Sequence, residues 1–387
     1  MFGAGLEGVA PDRVELDREE AVDVEVDRRN LHRSRIVQHQ TRSLEPGEVR
    51  LAIDRFALTS NNVSYAAFGD MLQYWEFFPP AANEPGDTTE WGRAPVWGFA
   101  DVVESAHGEV AVGRRLYGYF PMGDELVIEA GKVDDRGVID VAPHRRAMAT
   151  AYNRYAFTDT DPAYDAGREF HRMVLFPLFF TSWLIDDFLA DQGLSNDAIV
   201  IVSSASSKTS IGVAKLCADH AGVRVIGLTS TGNVEFCRGL GCYDDVITYD
   251  DLASLPGGEA VFVDMAGNAD VRAAVHGHYG DALRHSMIVG GTHWDHQPSG
   301  DSSALAGPAP KFFFAPEQIV KRTNDWGAET VDERLGAAWK LYADWADVWV
   351  RFQTRTGPTE VEAAFAALVD GDVDPTVGLV CSIKESS

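Results

Sequence analysis

Ile199-Val-Ile-Val-Ser-Ser-Ala-Ser-Ser-Lys-Thr-Ser-Ile-Gly-Val-Ala-Lys-Leu-Cys-Ala218 opens on an apolar run, turns through small residues and continues as an amphipathic segment. An unbroken apolar run such as Ala198–Val202 predicts a parallel strand covered on both faces. Ile211, Ala214, Lys215 and Ala218 have helical spacing, which predicts a helix over Ser210–His220. A strand running through a tight bend into a helix is the geometry that cradles a diphosphate. Small side chains let the backbone approach, and the helix's free N–H groups meet the anion. The usual glycines are replaced here by Ser204, Ser207, Lys208 and Ser210. Hydroxyls of Ser204, Ser206, Ser207, Thr209 and Ser210 can still donate to phosphate oxygens, and Lys208 offers a positive charge. The competing reading is a Ser-rich turn that only caps its helix.

Outward from this stretch, strand and helix alternate. Strands are predicted at Val223–Leu228, Val246–Ile247, Ala260–Val263 and Met287–Val289, with helices at Asn233–Leu240 and Val271–His278. That order is the mark of a doubly wound parallel sheet, a Rossmann α/β domain, placed here at residues 166–310. The N-terminal half reads differently. Strands at Ala21–Asp27, Arg33–His39, Glu48–Leu58, Val96–Glu104, Arg114–Tyr119 and Glu125–Glu129 are punctuated by Gly98, Gly108, Gly113 and Gly118, which suggests a small β-barrel. Between Tyr65 and Trp97 lies a long irregular stretch with Pro79-Pro80 and Pro85-Gly86, of the kind that often carries function. Two helices, about Val331–Val350 and Thr359–Leu368, and a strand at Gly378–Ile383 end the chain. A catalytic domain of residues 1–165 and 311–387 is therefore expected around the Rossmann insert.

The chain has 387 residues, 45% of them hydrophobic, enough for two domains. Its formal charge of −26 opposes phosphate backbones and anionic lipid, so neither a nucleic-acid nor a membrane-surface partner is expected. Cys217, Cys237, Cys242 and Cys381 form no CxxC pair and are expected to be reduced thiols. The first twenty residues lack a basic start and an apolar stretch, and Met173–Leu189 is interrupted by Pro177, Asp186 and Asp187, so a cytoplasmic protein is expected. A second motif competes for the Ser-rich loop. Ser207-Lys208-Thr209 followed by Val261-Phe-Val-Asp264 imitates a nucleoside-triphosphate P-loop and its metal-binding acid, but the two required glycines are Val202 and Ser207 here.

Set end to end, these segments resemble the medium-chain dehydrogenase/reductase superfamily, in its zinc-free quinone- and enoyl-reductase-like half, and within it a branch of unknown function. Glu48–Asn62 is similar to the strand and Asn-containing turn that enter the family's active site. Pro95–Glu104 and Val110–Gly118 are similar to its GroES-like barrel core. Phe179-Phe-Thr-Ser-Trp183 resembles the helix entering the cofactor domain, and Val263–Asn268 its fourth strand. Met287–His293 resembles the strand beside the nicotinamide, and Val361–Val380 the closing helix and strand. The resemblance implies a GroES-like catalytic domain, a Rossmann NADP-binding domain, a small-molecule substrate in the cleft between them, and a homodimer. It also implies Thr181, Gly290 and Gly291 beside the nicotinamide, and Asn61, Asn62 and Tyr65 beside the acceptor.

The zinc-dependent relatives carry Gly-His-Glu where Gly98-Phe-Ala100 stands, and a four-cysteine lobe absent here, so no metal is expected. His293 and His296 are read as pocket-lining or solvent-facing rather than as a metal pair. The second cofactor strand ends in Thr229, Ser230 and Thr231 with Asn233 close by, where an acid would hold the ribose of NAD, so NADP(H) is the expected cofactor. Catalysis is assigned to Tyr65, as proton donor or carbonyl hydrogen-bonder, and Asn62. Asn61, Tyr74, Trp97 and His293 are expected at the substrate, with Phe312–Phe314 closing the other wall. The expected reaction is zinc-independent, NADPH-dependent reduction of an activated C=C or carbonyl in a small apolar or conjugated substrate. The alternative is a catalytically silent NADP-binding module acting as a binding or partner protein, which the serine-substituted loop also fits.

Overall fold

The structure, a computed structural model, describes residues 20–80, 90–192, 197–290 and 305–384. Glu48–Leu58 is a strand over the predicted residues, and it is the seam of the first half of the molecule. It pairs antiparallel with Pro95–Ser105 on one side and with Glu125–Asp134 on the other. Arg115–Pro121, Arg154–Phe157 and Gly137–Asp140 complete the circuit, so six strands close into a barrel. Closure removes both sheet edges and lets alternate residues such as Val49, Leu51, Ile53, Leu116, Ile128 and Val138 fill the interior. Glu20–Asp27 and Ser34–Gln40 form a hairpin outside this ring.

The second sheet is wholly parallel. Its strand order is Asp245–Thr248, Arg224–Thr229, Ile199–Val202, Ala260–Asp264, Leu283–Ile288 and Lys311–Phe312. Ile199–Val202 is central, and the connections leave it in opposite directions. The crevice of a doubly wound sheet therefore opens at its carboxyl end. Every residue of that strand is buried, as its unbroken apolar run requires. The helix Lys208–Cys217 starts two residues earlier than its spacing predicts and packs on the helix Phe176–Asp191. Gly212 permits the contact: a Cβ there would lie 2.4 Å from Ser182 Oγ, whose hydroxyl donates to the Thr209 carbonyl.

The expected boundary at residue 310 falls short of what the second sheet uses. Lys311–Phe312 is its sixth strand, and Phe176 and Phe179 pack on Trp339 and Tyr342 of the helix Ala328–Ala346. The chain returns to the barrel at Arg351–Thr356, which pairs parallel with Val377–Ser382, and that strand pairs with Glu48–Leu58. All four cysteines are free and buried, in line with the expected thiols. No single helix among the described residues is long and apolar enough to cross a membrane.

Candidate functional site

A cleft of about 660 Å³ lies between barrel and parallel sheet. From the sheet side it is lined by residues at the carboxyl ends of the strands: Ser204, Ser206, Ser207, Lys208 and Thr209 after the first, Asn233 after the second, Met265 after the fourth, and Val289 and Gly290 after the fifth. Thr181 joins them from the helix Phe176–Asp191. From the barrel side come Asn61, Tyr65 and Tyr74, together with Tyr152. Residues from the two halves of the chain that the sequence assigned to cofactor and acceptor thus face one cavity.

The Ser-rich bend keeps a glycine-type shape without glycine. Ser204 sits at φ +48, in the left-handed region, and its N–H donates to Tyr249 Oη at 2.8 Å. A side chain in that conformation costs about 1–2 kcal/mol, part of which glycine's extra chain entropy would offset. Ser204→Gly is therefore expected to leave stability unchanged or raise it by up to about 1 kcal/mol in denaturant melts, which no ordinary serine-to-glycine change does.

The hydroxyls of the bend divide into two sets. Ser203 donates to Asp264 Oδ1 and accepts from the Met265 and Ala266 amides, while Ser210 donates to the Ser203 carbonyl. Ser207 caps the helix by accepting from the Ser210 amide. Ser210 is thus fully buried and fastens the bend instead of facing a ligand. Ser204, Ser206 and Thr209 remain on the cleft side. At the outer end, Asn233 Nδ2 donates to Ser206 Oγ at 3.1 Å and to Ser230 Oγ at 3.3 Å, tying the first two strand ends together. Thr229 lies beneath this surface, buried, with its hydroxyl on the Cys237 thiol. The polar outer end consists of Ser206, Ser230 and Asn233, without Thr229.

Lys208 departs from the expected phosphate contact. Its ammonium reaches across the cleft and donates to the carbonyls of Val377 at 2.7 Å and Pro375 at 3.2 Å, on the barrel side. Burial pushes its pKa down to about 8, with the Asp374 carboxylate acting in the other direction. Two of the three ammonium protons are used in this way, and the group still lines the cavity. The P-loop alternative fails at Asp264. This residue is fully buried, with Oδ1 taken by Ser203 and the Gly267 amide and Oδ2 by Arg272, so no carboxylate face is offered to a metal.

On the barrel side, Tyr65 is 8% exposed and its ring lies 4.5 Å from that of Tyr74. Burial raises the Tyr65 phenol far above its ordinary pKa, and the Trp97, Asn61 and Tyr152 side chains lie beside it. Tyr74 and Tyr152 are raised by the same cause, and their hydroxyls are 3.4 Å apart. Three neutral phenols therefore converge on the barrel side of the cleft. Asn62 is not among them. Its Oδ1 accepts from the Thr59 amide and its Nδ2 donates to the Pro95 carbonyl, so it is a buried capping residue of the helix Ser60–Ala67. Trp97 stands behind the phenols, stacked on Tyr117 at 5.6 Å, and does not line the cleft. Gly291 and His293 lie outside the described residues, as do His296 and Pro85-Gly86. Among the described residues no cluster of His, Cys, Asp or Glu is placed to hold a metal.

Sequence reasoning missed Tyr152. It projects from a short helix, Thr150–Asn153, between strands of four residues each that leave no alternating pattern to read. Arg145 fixes that turn from beneath. Fully buried, it donates to Asp140 Oδ2, Tyr155 Oη, Asn153 Oδ1 and the Tyr152 carbonyl.

A family described as "Protein of unknown function (DUF2855)" matches residues 56–374, most of the chain and both walls of the cleft. The chain belongs to the DUF2855 family. No curated protein matches its sequence. Solved structures similar to this DUF2855 protein include CurA from Vibrio vulnificus in complex with NADPH, at 13% identity and a TM-score of 0.63, covering 94% of this chain and 100% of CurA. The yhdH oxidoreductase from Salmonella enterica in complex with NADP is 14% identical, with a TM-score of 0.53, over 94% of this chain and 100% of its own. The quinone oxidoreductase from Coxiella burnetii gives 14% and 0.53, over 94% and 100%. The DUF2855 fold is thus the barrel-plus-Rossmann fold of the medium-chain dehydrogenase/reductase superfamily, as the sequence resemblance implied.

Proposed function

We propose that this DUF2855 protein is an NADPH-dependent oxidoreductase that reduces an activated C=C or a carbonyl without a metal. The observation that carries the proposal is the single cleft in which the Ser-rich bend faces three buried phenols. The residues present fit the cofactor. The open helix start at Lys208 and Thr209 and the hydroxyls of Ser204, Ser206 and Thr209 suit a diphosphate. Gly290 lines the cleft at the end of the fifth strand, and a Cβ there would crowd the Met265 carbonyl at 3.0 Å. Ser206, Ser230 and Asn233 form a carboxylate-free end suited to a ribose 2′-phosphate. Support also comes from CurA and the yhdH oxidoreductase, whose structures hold NADPH and NADP.

Bound NADPH would supply the hydride. The chain supplies the rest. Met265 and Val289 keep water from the reacting face, while Thr181 and Gly290 orient the ring. Tyr65 Oη holds the proton that completes the reduction. Tyr65 would hydrogen-bond the acceptor oxygen and would stabilise or protonate the negative charge that develops on oxygen or on the α-carbon. A homodimer and a cytoplasmic location belong to the same proposal.

Titration with NADPH, followed by nicotinamide fluorescence, tests it: saturable binding is expected, and absence of a saturable signal refutes the cofactor site. A diphosphate favours the charged form of Lys208. Above pH 8, where the free site has lost that proton, affinity should therefore fall by up to about tenfold per pH unit. In Lys208→Met the affinity should be weaker and this slope absent. Folding stability has the opposite sign. Between about 8 and the ordinary 10.5, the unfolded chain holds a proton the folded chain lacks, so this group's contribution to stability rises with pH.

A further inference from the structure

Lys208 joins the two walls of the cleft, and what it holds on the barrel side leads directly to the helix that carries Tyr65. It is the first residue of the helix Lys208–Cys217, at the bend between Ser207 and Thr209. Its ammonium donates to two carbonyls presented by one turn, those of Pro375 and Val377. Asp374 shapes that turn. Its Oδ1 accepts from the Thr376 amide at 2.8 Å and from the Thr376 hydroxyl at 2.6 Å, and its carbonyl accepts from the Val377 amide at 2.9 Å. Val377 opens the strand Val377–Ser382, whose Leu379 and Val380 stand opposite Leu58 and Ala57 at the end of Glu48–Leu58. That strand end runs through Thr59 into the helix Ser60–Ala67, which holds Asn61 and Tyr65 in the cleft. Leu58 and Leu379 are both buried, so this register leaves little slack between the turn and the helix.

We infer that Lys208 is a positioning residue: it couples an anion on the Ser-rich bend to the placement of Tyr65, through the turn at Asp374–Val377 and the paired strands behind it. The inference rests on the reductase reading for the identity of the anion, the cofactor diphosphate, whereas the strap itself belongs to the free protein. Two neutral carbonyls satisfy hydrogen bonds of the ammonium without neutralising its charge, and the Asp374 carboxylate acts on it through space. A diphosphate at the open helix start supplies the opposite charge and holds the ammonium protonated between the two walls. The turn is then fixed against the bend, and Tyr65 is set when the cofactor is in place and looser when it is not. Part of the binding free energy at the bend thus goes into ordering the acceptor side. A lysine that served only as a phosphate ligand would leave the barrel unaffected.

The test is hydrogen exchange read by mass spectrometry on the full chain, with and without saturating NADP+, in the unaltered protein, Lys208→Met and Asp374→Ala. Asp374→Ala leaves Lys208 in place and removes the side chain that shapes the turn. In the unaltered protein NADP+ should slow exchange in peptides spanning residues 203–212, 371–380 and 59–68. The slowing in the two barrel peptides should be about tenfold or more, the size of a charge-assisted hydrogen bond. In both variants the bend should still be protected, while the two barrel peptides exchange as in the free protein. Exchange in Ile199–Val202 and Glu48–Leu58 shows in the same data that the variants are folded. Barrel peptides protected equally in all three proteins overturn the coupling, as does a protected bend with no barrel change in the unaltered protein. A bend that NADP+ never protects removes the reductase reading. The strap is then decided in the free protein, where Lys208→Met must speed exchange at 371–380 by a similar factor, and unchanged exchange there refutes it.

Discussion

Tyr65→Phe is expected to lower kcat for NADPH-dependent reduction of an activated C=C or carbonyl by about 10²–10⁴, the usual contribution of a positioned proton donor, with NADPH affinity unchanged. The substitution removes one oxygen from a ring that is already 8% exposed and packed 4.5 Å from Tyr74, so the fold has little reason to respond. Burial holds the phenol protonated well above its ordinary range. The rate should then show no alkaline limb from Tyr65 across the range where the protein is folded, which separates it from a thiol or imidazole donor. Stopped-flow measurement of nicotinamide absorbance gives the hydride step directly, and fluorescence titration gives the affinity. Loss of rate together with loss of NADPH binding would mean that Tyr65 shapes the cofactor site instead of donating a proton. An unchanged rate would transfer the role to Tyr74 or Tyr152, whose hydroxyls are 3.4 Å apart in the same cleft.

The parts of the molecule legible in the sequence are those where burial dictates residue type locally. Ile199–Val202 is covered on both faces and therefore reads as an unbroken apolar run, and Glu48–Leu58 reads cleanly because the barrel interior selects alternate residues. Ser204, Ser206, Thr209 and Asn233 line the cleft because they lie at strand ends, positions that the alternation of strand and helix in the sequence already marks. The site was not legible where a role depends on a distant partner. The amide of Asn62 suits an active site as well as it suits a cap, and the Pro95 carbonyl that settles the matter is 33 residues away. The Lys208 ammonium reads in sequence as a direct phosphate ligand, whereas two of its protons go to the carbonyls of Pro375 and Val377 across the cleft. Tyr152 carries no local signal, because its position is set by Arg145 and the four groups that Arg145 holds.

Arg145 is accordingly the residue whose loss should be felt most in stability. It is fully buried, its guanidinium lies about 5 Å from the rings of Phe77 and Phe78, and every bond it makes is to the wall that presents Tyr152. Arg145→Met keeps most of the volume but leaves the Asp140 carboxylate buried without its cation, and breaking a buried pair from one side costs about 3–5 kcal/mol. A urea midpoint shifted by that amount is the expected readout. The loss should also depend on pH in a definite direction. Burial already raises the Asp140 pKa above 3.8, against the pull of Arg145, and removing the cation raises it further. Between the ordinary and the raised value the folded variant binds a proton that the unfolded chain does not, so its stability grows as the pH falls through that window. The deficit relative to the unaltered protein should therefore be greatest near neutrality and shrink in acid. Arg145→Met with Asp140→Asn, which removes the stranded charge, should recover part of the neutral-pH loss. If stability returns while NADPH-dependent reduction stays slow, the surviving defect is the misplaced Tyr152 hydroxyl and not a weakened fold.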